Sequence, residues 1–349
     1  MDNIVAWRSP SNIAIVKYWG KHGVQLPRNA SLSFTLSKAY TDTQIQFSPK
    51  FQQSPEIELD FFFEGEPNKA FADKIRKFWS GIVPMFPFLL DYRFVVHSKN
   101  SFPHSAGIAS SASSMSALAL GLCQIEEKLL RKGGRTNEFW QKASHISRLG
   151  SGSACRSVYG GSVVWGATDL VTESSDEHAV ALPESEVHSI FNDYQDTILI
   201  VSGSEKSVSS RAGHALMNTH PFAKLRFEQA HDNLKELLPA LRTGDLEAFV
   251  KITEAEALML HALMMTSDPS YLLLHPNTLN VIEKVRAFRE ETKIPICFTL
   301  DAGPNVHLLY PKSDRTKVLD FIKSDLAVFC EGGRWIEDEV GKGAEEVEM

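Results

Sequence analysis

A chain of 349 residues with 43% hydrophobic and 23% charged side chains is long enough for two medium-sized domains sharing a cleft. Its formal net charge of −7, with no basic stripe or Lys/Arg cluster, argues against a nucleic-acid-binding surface but leaves room for a small anion in a local basic pocket. No apolar run approaches the ~20 residues a membrane-spanning helix requires.

The opening "MDNIVAWRSP" lacks a basic segment followed by an apolar one, so no secretory signal is expected. Cys123, Cys155, Cys297 and Cys330 lie too far apart for a CxxC pattern and read as reduced thiols of a cytoplasmic protein.

In chain order, "SPSNIAIVKYWGKHG" (9–23) reads as a strand with Ile13 and Ile15 on one face, followed by Lys17, Tyr18 and Lys21. Solvated lysines after an N-terminal strand are one reading; a cationic grip on phosphate, built after Asn12, is the other. "TDTQIQFS" (41–48), "EIELDFFFEG" (56–65) and "YRFVVHS" (92–98) read as further strands. Between the last two, Phe71, Ile75, Phe78, Trp79 and Ile82 recur at helical spacing over residues 69–83. Such irregular interleaving of strands and helices implies an α+β fold rather than a doubly wound parallel sheet.

The next stretch, "FPHSAGIASSASSMSALALGL" (102–122), is rich in serine and small residues. Met115, Leu118, Leu122, Ile125 and Leu129 nevertheless step by three and four, so a helix starts near Gly107 to Ser110 and stops at Gly133 and Gly134. Its first turn holds no large side chain except Ile108. Unpaired N–H groups, the positive end of the helix dipole and serine hydroxyls make a phosphate seat there. Small residues that simply let the helix pack closely explain the composition equally well. No GxxxxGK[ST], HRD/DFG or GxGxxG pattern is present.

"RLGSGSACRSVYGGSVVWG" (148–166) reads as a tight turn feeding a strand. Ser151, Ser153 and Arg156 there would offer a guanidinium and hydroxyls to a carboxylate or diphosphate. After a polar transition at 183–196, a strand at 196–203 precedes long amphipathic helices at 221–244, 245–267 and 276–293, with Gly244 and Asp245 as stop and N-cap. A hairpin of "ICFTL" and "NVHLLY" through "DAGP" places Asp301 at a strand end, where it caps a turn or serves as a general base. The acidic "GKGAEEVEM" tail is expected to fray.

"FPHSAGIASSAS" resembles the phosphate loop of the GHMP kinase superfamily, P-x-x-x-G-[LI]-x-S-S-A, and favours the cradle over the packing reading. Together with "NIAIVKYWGK", "GSGSACRSVYGG" and "DAGPN" in that order, from about residue 8 to 310, it resembles one family within it, the diphosphomevalonate decarboxylases. The resemblance implies a two-domain GHMP kinase α+β fold, residues 1–190 binding ATP and 191–349 forming a ferredoxin-like C-terminal domain, with the active site in the cleft. It implies ATP- and Mg2+-dependent conversion of mevalonate 5-diphosphate to isopentenyl diphosphate, and family habit implies a homodimer.

Residue by residue, the resemblance implies that Asp301, Lys17 and Arg156 are catalytic, Arg156 addressing the substrate carboxylate. Asn12, Tyr18, Lys21, Ser151, Ser153, Ser210 and Arg211 would bind substrate. Pro103, Ser105, Ala106, Gly107, Ile108, Ala109, Ser110 and Ser111 would cradle ATP, with Ser111 on the metal. The chain departs from the family pattern at His22, Gly23 and His104. Rival readings are a mevalonate 5-phosphate decarboxylase, a GHMP kinase that does not decarboxylate, and a non-catalytic ligand-binding protein.

Overall fold

The computed structural model describes residues 3–52, 54–102, 110–131, 134–204 and 208–348. Strand β1 (Ile4–Val16) is followed by a small hairpin, β2 (Lys21–His22) and β3 (Leu26–Pro27), and by the long β4 (Ser31–Pro49). Next come β5 (Glu58–Phe63), β6 (Glu66–Pro67), helix α1 (Lys69–Ile82), β7 (Tyr92–Asn100), α2 (Ser110–Leu130) and α3 (Asn137–Gly150). A 3-10 helix (Gly152–Val158) then leads to β8 (Ser162–Trp165), β9 (Ala179–Ala181) and β10 (Gln195–Leu199). The remainder is α4 (Ser210–Leu216), α5 (Ala223–Thr243), α6 (Leu246–Met265), α7 (Pro276–Thr292), β11 (Cys297–Leu300), β12 (Val306–Tyr310), α8 (Arg315–Phe321), β13 (Trp335–Glu339) and β14 (Glu345–Glu346).

The strands build an eight-stranded sheet, ordered β14-β1-β4-β7-β5-β6 with β8 and β9 branching from β4, and a four-stranded sheet ordered β11-β12-β10-β13. All pairings are antiparallel except β5 with β7. Alternation in β4 and β7 sends Ile45, Phe47, Phe94 and Val96 to the face covered by Trp79 of α1, Leu118 and Leu122 of α2 and Ile146 of α3. A second cluster joins the sheets. Ile13, Ile15, Leu32 and Phe34 of the first pack with Leu234 and Leu237 of α5, Phe249 of α6, and Cys297 and Leu309 of the second. This shared core seats the ends of β1 and β11 beside each other.

Local signals explain most boundaries. Gly244 closes α5 with φ of 77°, and Asp245 Oδ1 accepts from the amides of Glu247 and Ala248 at 3.1 and 3.0 Å to open α6. The "DAGP" hairpin forms with Leu300 opposite Val306. Helices α3, α4 and α8, strands β2, β3, β6, β9, β13 and β14 and the first half of β4 (31–40) are additions to the sequence reading, and the turn at 150–158 is wound into the 3-10 helix.

The tail corrects one expectation. Instead of fraying, it crosses back to the first sheet, where β14 pairs with β1 through Trp7 and Arg8. Asp338 accepts three backbone amides at the bend in β4, from Ser37, Lys38 and Ala39, at 2.7 to 2.9 Å. Glu346 meets Arg135 and Gln124. Periodicity could not report this because the strand's partner lies over 330 residues away.

The crossing depends on glycine. A Cβ on Gly160 would stand 2.3 Å from the backbone carbonyl of Lys342. Gly160→Ala is therefore expected to lower stability by about 1–3 kcal/mol, since backbone cannot yield as a side-chain tip can; thermal melting at the wild-type midpoint would refute it.

Candidate active site

The ladder between β1 and β4 ends at Val16, opposite Leu32, and Lys17 follows it into the interior at 1% exposure. The solvated-lysine reading thus fails for Lys17. Its Nζ donates to the Ala14 carbonyl at 2.6 Å and lies 3.5 Å from Asp301 Oδ1. Asp301 directly follows β11, and its own carbonyl accepts from Gly303 N at 2.7 Å and stands 3.1 Å from His261 Nε2. Its carboxylate is 29% exposed, so the acid joins an interior lysine on one side to open space on the other. Burial pushes the Lys17 ammonium below its ordinary pKa; Asp301 and Glu256 oppose that shift and Arg156 adds to it.

Arg156 rides the 3-10 helix and is also buried, with the Asp301 charge close enough to act on it. Its Nη1 donates to Ser31 Oγ at 2.6 Å and its Nε to Asn12 Oδ1 at 3.2 Å, and the guanidinium lies 5.9 Å from the Trp165 ring centre. Asn12, expected among the substrate-binding residues, presents its amide nitrogen to Ser157 Oγ and the Ser153 carbonyl at 2.8 and 3.2 Å. Both ends of its side chain therefore hold Arg156 and its helix in place.

Tyr18 packs its ring on Trp165 and His214, with centres 4.6 and 4.4 Å apart, and its hydroxyl has no partner among the described residues. Burial raises its pKa, so it stays a neutral hydroxyl. Lys21 sits on the β2–β3 hairpin with Nζ 2.7 Å from Gln25 Oε1. Burial, then repulsion from Arg211, lowers its pKa. Arg211 and Ser210 lie exposed at the start of α4. Two cations held close together on separate elements favour an anion between them.

His214, which sequence reasoning passed over, binds these pieces together. Its Nδ1 accepts from Gly20 N at 2.9 Å, and its ring lies between Tyr18 and Trp19. Burial, with Lys21 adding, lowers its pKa to about 3. Between that value and the unfolded ~6.5, the unfolded chain binds a proton that the folded chain refuses, so stability falls as pH drops through this window. His214→Gln, which keeps an acceptor for Gly20, is expected to flatten the stability–pH slope between pH 6 and 4; parallel slopes for variant and wild type in chemical denaturation would refute the assignment.

The front of α2 adjoins this group through the segment before the 3-10 helix. Ser111 Oγ lies 3.3 Å from Ser151 Oγ, and Ser153 is half-buried two residues on. Pro103, His104, Ser105, Ala106, Gly107, Ile108 and Ala109 lie outside the described residues. The close-packing reading of the serine-rich stretch has a place in the structure. Gly121 lets α2 approach Ile45, where a Cβ would come within 2.6 Å, while Ser110 and the exposed Ser111 stand at the helix front. Several glycines of 148–166 also serve packing: a Cβ on Gly166 would meet Ala30 backbone at 2.6 Å.

Among the described residues, no group of three or more His, Cys, Asp or Glu side chains could hold a metal. Ser111, the residue expected on the metal, is an exposed hydroxyl at the front of α2, an oxygen donor of the kind magnesium takes beside phosphates and water. All four cysteines are buried and unpaired, and burial pushes each thiol up, Cys155 to about 12 and Cys330 to about 11. They stay in the poorly nucleophilic thiol form.

Sequence reasoning also missed Glu256, Arg226, Asn233, Ser31 and Trp165. One signal was available: Arg226 keeps phase with the apolar stripe Ala230, Leu234 and Leu237 of α5, and Glu256 with Phe249, Ile252 and Leu260 of α6. A charge in a core stripe announces a buried partner.

Two sheets with a shared core, covered by helices and seating a strand-end acid beside an interior lysine, form the two-domain α+β fold of the GHMP kinases. Residues 9–179 match the diphosphomevalonate decarboxylase-like N-terminal domain and residues 197–345 the mevalonate 5-diphosphate decarboxylase C-terminal domain. The diphosphomevalonate decarboxylase of Saccharomyces cerevisiae is 31% identical over 332 residues, spanning 90% of this chain and 79% of its own. Mevalonate diphosphate decarboxylase from Staphylococcus aureus superposes with a TM-score of 0.84 at 29% identity, covering 100% of this chain and 99% of its own. MDDEF in complex with MVAPP, AMPPCP and magnesium gives 0.83 at 29%, covering 99% of each chain. The chain belongs to the diphosphomevalonate decarboxylase family.

Proposed function

We infer that the protein converts mevalonate 5-diphosphate and ATP to isopentenyl diphosphate, ADP, phosphate and carbon dioxide, with ATP and Mg2+ as cofactors. The observation that carries the reading is Asp301 set 3.5 Å from interior Lys17 with Arg156 in electrostatic reach, because the reaction needs an acid–base group and fixed cations at one carbon.

A tertiary alcohol is a poor nucleophile. Asp301 accepts or orients the proton of the C3 hydroxyl as phosphoryl transfer advances. Departure of phosphate leaves cationic character at C3, and loss of the carboxylate supplies the electron pair of the new double bond. Arg156, immobilised by Asn12 and Ser31, holds that carboxylate in line, and Lys17 balances charge beside Asp301. Tyr18, Lys21, Ser151, Ser153, Ser210 and Arg211 take the diphosphate. Ser105, Ser110, Ser111 and the backbone of residues 103–109 take the ATP phosphates. Magnesium, held at Ser111, supplies neutralisation of phosphate charge when bound.

The same reading places the lobe boundary near residue 190, ahead of β10, with β14 returning to the first lobe. It includes a homodimer and a cytoplasmic location; no helix among the described residues is long and apolar enough to cross a membrane.

The test incubates the protein with ATP, magnesium and mevalonate 5-diphosphate, and in parallel the 5-monophosphate, with products identified by mass. Isopentenyl diphosphate and carbon dioxide are expected. ADP without carbon dioxide would make it a kinase, and preference for the monophosphate would overturn the substrate.

A further inference from the structure

We propose that Glu256 and Arg226 are positioning residues for this reaction: bridged across α5 and α6, they grip the main chain of Lys17 on both sides and so aim its ammonium at Asp301. The proposal rests on the reading of Lys17 and Asp301 given above.

Lys17 lies one residue past the last β1–β4 pair, so the sheet does not hold it. The clamp does. Glu256 Oε2 accepts the Lys17 amide at 2.7 Å, and Arg226 Nη2 donates to the Lys17 carbonyl at 3.0 Å, where Asn29 Nδ2 also donates at 3.0 Å. The two charged side chains meet in a two-pronged pair, Nη1 to Oε1 at 2.7 Å and Nη2 to Oε2 at 2.6 Å, and Asn233 Nδ2 gives Oε1 a further bond at 2.6 Å. The side chains are 0% and 1% exposed.

A buried ion pair is a poor device for stability, because desolvating both charges consumes what their attraction returns, and apolar residues of equal volume often serve as well. Apolar residues cannot hold the peptide groups on either side of a strand-end lysine. With both peptides pinned and Nζ tied to Ala14, little freedom remains in how the lysine reaches Asp301. Misplacement of such a group by about 1 Å is enough to cost ~10²-fold in rate.

The charged groups facing Lys17 are Asp301 beyond β11, Glu256 on α6, Arg226 on α5 and Arg156 on the 3-10 helix, with His261 of α6 against the Asp301 carbonyl. Glu256 and Asp301 favour the ammonium; Arg156 and burial disfavour it. Neutralising Glu256 removes a supporting charge and leaves Arg226 unbalanced, so Lys17 loses its proton at lower pH.

Two variants of the full-length protein test this. Glu256→Gln removes the charge; Glu256→Asp keeps a charge for Arg226, and hence the fold, but is one methylene too short to reach both Arg226 and Lys17. Each is expected to lower kcat about tenfold or more with the KM for ATP and mevalonate 5-diphosphate within twofold of wild type, and Glu256→Gln alone to move the alkaline limb of kcat/KM to lower pH. Wild-type kcat per folded molecule and an unmoved limb would reduce the pair to a structural role and overturn the proposal. Lys17→Met is measured alongside. Full turnover in that variant sinks the reading of the site and the proposal with it, whereas a dead Lys17→Met beside normal Glu256 variants sinks the clamp alone.

Discussion

Asp301→Asn is expected to lower turnover about 10³-fold while leaving mevalonate 5-diphosphate binding close to wild type. The substitution keeps the size and shape of a side chain that is 29% exposed, so folding and the opening to the cleft persist. What disappears is the proposed acceptor of the hydroxyl proton at the end of β11, together with the negative charge that Lys17 faces at 3.5 Å. The amide can still turn its oxygen toward Lys17, which preserves packing without restoring basicity. Single-turnover carbon dioxide release, with calorimetry for binding, separates the two quantities. Turnover within a fewfold of wild type would remove Asp301 from its role as base.

Arg156→Ala is expected to lower kcat/KM about 10²–10³-fold, far beyond the effect of a surface control such as Lys312→Ala, whose ion pair with Asp193 is half exposed to water. Deleting the guanidinium also leaves Asn12 Oδ1 and Ser31 Oγ short of a donor in the interior, which costs about 1–3 kcal/mol of stability. Arg156→Lys separates the two effects. It keeps the charge but loses the planar fork that reaches Ser31 and Asn12 together, so activity recovers only in part. Equal activity of Arg156→Ala and the surface control, measured on folded protein, would reject the carboxylate contact.

Much of the secondary structure was legible because its causes are local. Helix α5 stops at Gly244 and α6 starts at Asp245, since a left-handed C-cap and a side-chain N-cap are written in two adjacent residues. The hairpin around Asp301 announces itself through "DAGP" between two apolar runs, and α2 through steps of three and four that persist past the serines. The order of the four motifs sufficed to imply the family, because each preserves an unusual grouping of small, cationic or acidic residues.

The sequence by itself thus determined many of the elements, among them α2, α5, α6 and the β11–β12 hairpin, and through the family resemblance marked Asp301, Arg156 and Lys17 as residues to watch. The tertiary structure alone decided that Lys17 is interior and not solvated, that Asn12 grips Arg156, that the acidic tail is a strand, and that Glu256 and Arg226 meet at a peptide more than 200 residues away. The division has a physical cause. Helix periods, caps and turns depend on neighbours within a few residues, whereas the protonation and reach of a charged side chain depend on what covers it, and that cover is assembled from segments brought together only when two sheets close over a common core.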